Sequence, residues 1–329
     1  MRTITYRDAL REAIREEMRR DERVYILGED IAGYGGTYSV TKGLFEEFGE
    51  KRVKDTPLAE EVIIGTAIGS ALGGLRPIAE LMTANFSLLA SDQIINSAAK
   101  FHYMFGGQPR IPMVIRMPGG GGAQRGAQHS QMLETMYAHV PGLKVVMPAT
   151  PYDAKGMLKS AIRSDNPVIF LESMSLYNVR GMVPAGDYTT PLGKAALRRQ
   201  GSDVTVVGVS RMAVLANEAA KQLEEDDIDA EVIDLRSIRP IDWQPIVESV
   251  RKTSRCVVVE EGWSTYGVTA ELVAGVQERC FDYLDAPVRR LGGAQVPMPY
   301  SQPLEKASIP TAEDIKRLVR ATVGKESNG

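Results

Sequence analysis

The sequence predicts an α/β protein with two domains, each built on a largely parallel sheet, and three observations lead there. Strand-like and helix-like blocks alternate almost throughout the chain, the pattern of βαβ units. The alternation falls into two series separated by a stretch of different texture, GMVPAGDYTTPL over 181–192. The length of 329 residues suits two domains of roughly 100–200 residues each. An N-terminal domain over 1–182, a linker over 183–195 and a C-terminal domain over 196–329 follow from this reading.

In the first series, residues 6–20 (YRDALREAIREEMRR) place Ala9, Leu10, Ala13, Ile14 and Met18 at helical spacing, with charges elsewhere. Apolar runs bounded by turn residues predict strands at 24–27, 76–82, 112–116, 144–147 and 167–171, with helices over 60–75, 87–104 and 151–164 between them. The Gly/Pro/Thr/Asp texture of 181–192 reads as linker. The second series predicts strands at 204–209, 231–235, 255–260 and 288–291. Its helices are expected over 212–225, 242–252, 267–280 and 312–322, with Lys325–Gly329 a frayed tail. Pro240 ends one element and Asp242 is placed to cap the next. No internal repeat or low-complexity segment stands out.

Composition narrows the function classes. Hydrophobic content of 43% and charged content of 25% are ordinary for a globular chain, and a net charge of −3 gives no basis for nucleic acid or an anionic membrane surface as partner. Apolar runs fall well short of the ~20 residues that span a bilayer, and the N-terminus lacks the apolar segment of a secretory signal. Two cysteines, Cys256 in a strand and Cys280 at a helix end, are too few for a disulfide framework. A cytoplasmic protein with reduced thiols is expected.

Asp55-Thr56-Pro57-Leu58-Ala59-Glu60 leads into an apolar helix in which Gly65, Gly69 and Gly73 recur every fourth residue. Asp or Thr before the run and Pro57 in the first turn are start signals. The glycines share one face and allow close approach of another backbone, although each costs roughly 1 kcal/mol relative to alanine. Pattern alone leaves two roles open for Glu60: a first-turn acid favoured by the helix dipole, or a buried acid beside a tight helix pair. Glu60 and Glu61 point about 100° apart on a helix and form no carboxylate pair.

The glycine-rich loop at 118–126 follows a strand and offers backbone N–H groups to an anion. It matches neither phosphate fingerprint and reads better as an active-site loop. Of the histidines His102, His129 and His139, His129 at the end of that loop suits a general acid or base, while a structural role stays open for it. His102 reads as packing and His139 as a helix-end polar group. Metal-ligand spacing and a G-x-S-x-G elbow are both absent, which directs attention to an acid beside an organic cofactor.

DTPLAE (55–60), ELMTANF (80–86), DQIINSAAK (92–100), AQHSQ (127–131), PGLKVVMP (141–148), KSAIRSDNP (159–167) and DAPVRRLGGAQVPMPY (285–300) occur in series. Together they resemble the β subunits of the E1 component of thiamine-diphosphate-dependent 2-oxo acid dehydrogenase complexes, pyruvate dehydrogenase above all, over nearly the whole chain. The resemblance implies a pyrimidine-type thiamine-diphosphate-binding domain followed by a transketolase-like C-terminal domain. It implies that Glu60 hydrogen-bonds N1′ of the aminopyrimidine and that Leu58, Met82 and Phe86 line that ring, Phe86 by stacking. His129 matches the histidine that serves the reacting substrate or lipoyl group. A potassium site is implied near Met113, Ala161, Ile162, Ser164 and Asn166, with Ser164 standing where the pattern expects Asp.

The Gly-Asp-Gly…Asn motif that holds the diphosphate and Mg²⁺ is missing. The resemblance therefore implies an E1 α subunit that supplies the magnesium half in an α2β2 heterotetramer, with the Gly65/Gly69/Gly73 face packed across it. It also implies docking to the E2 lipoyl acyltransferase through that protein's subunit-binding domain. The expected activity is oxidative decarboxylation of pyruvate with reductive acetylation of lipoyl-E2. Acetoin dehydrogenase and branched-chain 2-oxo acid dehydrogenase remain alternatives, as does a non-catalytic E2-docking assembly subunit.

Overall fold

The computed structural model describes residues 1–325, so that most of the tail expected over Lys325–Gly329 lies outside the described residues. The chain forms two compact units. One consists of Met1–Gly119 with Met136–Leu192, the other of Gly120–Thr135 with the chain from Gly193 onward. The break after Leu192 falls inside the stretch read as linker. Assignment of residues 120–135 to the second unit departs from a continuous 1–182 domain, and nothing in local texture announces it.

The first unit opens with β1 (Arg2–Thr5) and α1 (Tyr6–Arg20), which starts where the Thr5 side chain accepts the Asp8 N–H. Then come β2 (Val24–Gly28), α2 (Leu44–Phe48), β3 (Val53–Asp55), α3 (Glu60–Leu72) and β4 (Arg76–Glu80). After an interrupted helical stretch come α4 (Phe101–Met104), β5 (Val114–Gly119), α5 (Glu134–Ala138, divided between the units after Thr135), β6 (Lys144–Val146), α6 (Pro151–Arg163), β7 (Val168–Ser173) and β8 (Arg180–Val183). Parallel strands lie in the order β6-β7-β5-β4-β2-β3, and β8 pairs antiparallel with β1. Strands β2, β4, β5 and β7 are buried along their whole length, as expected of parallel strands covered on both faces.

That core also holds an ionic group. The Arg116 guanidinium, 1% exposed, pairs with Glu80 and lies fork-to-fork on Glu172, whose carboxylate also accepts the Tyr177 hydroxyl at 2.7 Å. The helix expected over 87–104 is broken into a 3-10 turn (Ala84–Ala90), a π-helical turn (Gln93–Ala98) and α4. Ser87 and Ser91 explain the tightening at its start, since their hydroxyls donate to the carbonyls of Ala84 (2.5 Å) and Leu88 (2.9 Å) three residues back. His102 is exposed, not packed, with Nδ1 2.7 Å from the Pro109 carbonyl.

The second unit contains β9 (Ala196–Arg199), β10 (Val204–Gly208), α7 (Arg211–Leu223), β11 (Ala230–Asp234), β12 (Ser237–Arg239) and α8 (Trp243–Thr253). It continues with β13 (Cys256–Trp263), α9 (Val268–Cys280), β14 (Arg289–Gly293), α10 (Gln302–Ser308) and α11 (Ala312–Thr322). Its sheet runs β14-β13-β10-β11-β9, parallel except for β9. One face is closed by α7 and α11, which bury Met212, Ala216, Leu223, Ile315 and Val319 against Val204, Val206, Val257 and Val259. Cys256 and Cys280 are free and buried. Among the described residues no helix is long and apolar enough to cross a membrane.

Candidate functional site

In an open parallel sheet, ligands favour the carboxyl ends of the strands where the strand order reverses. Here the chain steps outward from β2 to β3 and returns to the other side of β2 for β4, so the crevice lies past the ends of β2 and β4. Glu29 follows β2, the 56–60 connection follows β3, and Met82 follows β4. Glycine at 28 lets these strands close up, because a Cβ there would stand 2.6 Å from the Glu80 carbonyl oxygen.

Helix α3 begins at Glu60, not at Pro57, and Ala59 caps it without a side-chain hydrogen bond. Glu60 thus occupies the first helical position, where the unsatisfied N–H groups favour a carboxylate. It is 5% exposed while Glu61 faces solvent, as their angular separation requires. Glu29 is equally buried, and neither of its carboxylate oxygens has a hydrogen-bond partner. Burial, and then the charges of Glu60 and Asp30, push its carboxyl up to about 7. Sequence reading missed Glu29; the available signal was an acid directly after a strand-ending glycine.

Leu58, on the β3–α3 connection, is 77% exposed. Met82 and Phe86 are half-buried, Phe86 within the 3-10 turn against which α3 packs. The first unit therefore collects Leu58, Glu60, Met82 and Phe86 around the outlets of β3 and β4, with Glu29 added. A flat ring with a hydrogen-bonding nitrogen suits these surroundings: apolar side chains with surface left to cover, and buried acids of which Glu29 has both oxygens unpartnered.

His129 belongs to the second unit. Its loop leaves Gly119, passes through left-handed Gly120 and Gly122, and presents its N–H groups to carboxylates of the same chain. Gly121 N–H donates to Glu261 (2.7 Å), and Gly122 and Gln124 N–H donate to Glu305 (2.9 and 3.1 Å). The anions at this glycine-rich loop are thus built in. His129 is half-buried, its own N–H directed at the Gly126 carbonyl at 3.4 Å.

The residues of the implied potassium site cluster where α6 ends. Arg76 donates from Nε to the Ile162 carbonyl (2.9 Å) and from Nη2 to the Ser164 carbonyl (2.7 Å), and pairs with Asp165 at 3.1 Å. The Ala161 carbonyl accepts Ser164 N–H, the Met113 carbonyl accepts Val168 N–H, and Asn166 N–H donates to Ser164 Oγ. Each carbonyl retains a second lone pair. No group of three or more His, Cys, Asp or Glu able to hold a metal occurs among the described residues.

Residues 2–180 match the pyrimidine binding domain of transketolase, and residues 193–315 match the transketolase C-terminal domain. The chain is 50% identical over 317 residues to the pyruvate dehydrogenase E1 component subunit beta of Rickettsia felis, covering 96% of this chain and 97% of that protein. It is 51% identical over 326 residues to the mitochondrial counterpart of Caenorhabditis elegans, covering 98% and 93%.

The chain belongs to the pyruvate dehydrogenase E1 beta family.

An Arabidopsis thaliana E1 beta-1 subunit, also named mitochondrial, is 51% identical over 318 residues, covering 95% of this chain and 88% of that protein. Among solved structures, a split-gene transketolase described as an inactive beta4 tetramer superposes with a TM-score of 0.80 at 25% identity, covering 98% of this chain and 99% of that one. The transketolase-like two-domain α/β fold expected from the sequence is the fold observed. In this E1 beta chain the glycine-rich loop 120–135 groups with the second unit although it lies within the stretch matched by the pyrimidine binding domain.

Proposed function

We propose that this chain is the catalytic β half of a pyruvate dehydrogenase E1, decarboxylating pyruvate and passing the acetyl group to the lipoyl arm of E2. The carrying observation is Glu60, a buried carboxyl at the first position of α3 beside the sheet's switch point. Thiamine diphosphate, when bound, supplies the nucleophilic carbon and the electron sink that 2-oxo acid decarboxylation needs. Glu60 would hold the aminopyrimidine at N1′ and keep a proton available there. Leu58, Met82 and Phe86 would cover the ring and exclude water. Glu29, its oxygens unpaired, would stand behind Glu60 as a second proton-holding group. His129 would donate a proton as the acetyl group moves to the lipoyl sulfur.

The α subunit would bring the diphosphate and Mg²⁺ ligands. Its contact surface would include α3, where Gly65 and Gly69 are exposed and a Cβ at either meets nothing within 4 Å in this chain. An α2β2 assembly and E2 docking complete the proposed partners. A potassium ion would use the free lone pairs of Met113, Ala161, Ile162, Ser164 and Asn166, bracing the end of α6. The two free, buried cysteines suit the reducing, cytoplasmic compartment proposed for the chain.

The test is coexpression with the α subunit, followed by thiamine-diphosphate-dependent turnover of pyruvate, branched-chain 2-oxo acids and acetoin. Preference for pyruvate is expected. A preference for acetoin or a branched-chain acid would reassign the substrate, and an assembled but inert complex would leave an E2-docking subunit.

A further inference from the structure

The loop carrying His129 is held at both ends within the second unit. At its start, Glu261 and Glu305 accept the N–H groups of Gly121, Gly122 and Gln124. The fit there is tight: a Cβ on Gly120 would lie 2.7 Å from Glu261 Oε1, and one on Gly121 2.7 Å from Ile309 Cδ1 and 2.9 Å from the Met298 methyl. At its end the side chain of Glu134 turns inward and is 2% exposed. Glu134 Oε1 would stand 3.5 Å from a Cβ placed on Gly262, and Met132 Cβ 3.3 Å from it, so this end packs directly on β13.

The charges around Glu134 are unfavourable to its anion. From β13 come Glu260, bound to the N–H groups of Val268 (2.9 Å) and Thr269 (3.1 Å), and Glu261. Arg211 of α7 stands 4.0 Å from Glu261, Arg290 of β14 acts on Glu260, and Glu305 of α10 is committed to the loop's start. Glu134 Oε2 has no hydrogen-bond partner. We propose that Glu134 is a positioning residue: neutral, it stays buried and anchors the His129 loop, and ionised, it leaves its seat and frees that end of the loop. The role assigned to His129 under the proposed function is what makes this anchoring matter for turnover. Burial, followed by the Glu260 charge, pushes the Glu134 carboxyl up to about 8, so release belongs to mildly alkaline solution.

Hydrogen exchange of the full-length chain, with and without the α subunit, tests this directly. After correction for the intrinsic rate, amides of 120–135 are expected to lose about tenfold protection between about pH 7 and pH 9 while β13 keeps its own. Glu134→Gln should retain protection across that range, whereas Glu305→Gln should lower it at every pH. In the active complex, kcat/KM should fall about tenfold per pH unit above about pH 8, and Glu134→Gln should displace that limb by about a unit or more. Protection of 120–135 that is indifferent to pH in the wild type, or an alkaline loss that survives in Glu134→Gln, overturns the proposal. Should Glu134→Gln fail to fold, the wild-type exchange profile alone decides. An inert complex that still shows the exchange pattern would sink the decarboxylase reading and leave the anchor standing.

Discussion

Glu29 and Glu60 stand at the outlets of neighbouring parallel strands, and their proximity sets a pH dependence. A carboxyl raised from its ordinary 4.5 to about 7 means that the folded protein binds a proton the unfolded chain has released. Stability attributable to Glu29 therefore falls as pH rises from about 4.5 to about 7 and is constant above. Glu29→Gln is expected to flatten this slope in urea denaturation series run across the window; an unchanged slope would place the proton elsewhere. The place of Glu60 was legible in the sequence because the helix-start pattern puts it at the opening of an apolar run beside Glu61, while the role proposed for it comes from the family resemblance. Glu29 was not, because its burial depends on β2 pairing with β4, some fifty residues on. Glu134 and the carboxylates facing it were hidden for the same reason: Glu260, Glu261 and Glu305 meet the loop only through the folded second unit.

Among the elements, the regular helices follow their apolar spacing closely. Helix α1 spans Tyr6–Arg20 and α11 Ala312–Thr322, as their periodicity predicts. The stretch over 87–104 does not, because serine hydroxyls compete for backbone carbonyls and apolar periodicity carries no record of that competition. Asp242 precedes α8 as expected, yet its carboxylate accepts the Ala195 N–H (3.1 Å) and makes no cap bond to the helix. Short pieces such as α2, β3 and α10 offer too few residues for a period to show. The β4–β5–β7 core depends on Arg116 lying between Glu80 and Glu172. Arg116→Met would strand two buried carboxylates and is expected to destabilise the chain by about 3–5 kcal/mol, measured by denaturant midpoint. A loss below about 1 kcal/mol would mean that the carboxyls protonate without penalty.

For the molecule as a whole, the glycine repeat expected to form a close-packing face puts Gly65 and Gly69 exposed on α3 and Gly73 just past its end, and the α subunit is the partner proposed for it. Gly69→Val should leave the isolated chain folded, because a Cβ there meets nothing within 4 Å. It should weaken association with the α subunit by about tenfold or more, as valine prevents close backbone approach; sedimentation of the mixture gives the answer, and undiminished assembly would remove α3 from the interface. A potassium ion at the end of α6 predicts a higher melting temperature in potassium than in sodium chloride at equal ionic strength, and equal values would leave that turn to the side-chain cations Arg76, Arg110 and Lys144. The most direct measurement is pyruvate decarboxylation by Glu60→Gln assembled with the α subunit and saturated with thiamine diphosphate. With folding and assembly intact, a loss of about a hundredfold or more in kcat is expected, in line with removal of a positioned acid–base group. Turnover within a few-fold of the wild type would contradict the role of Glu60.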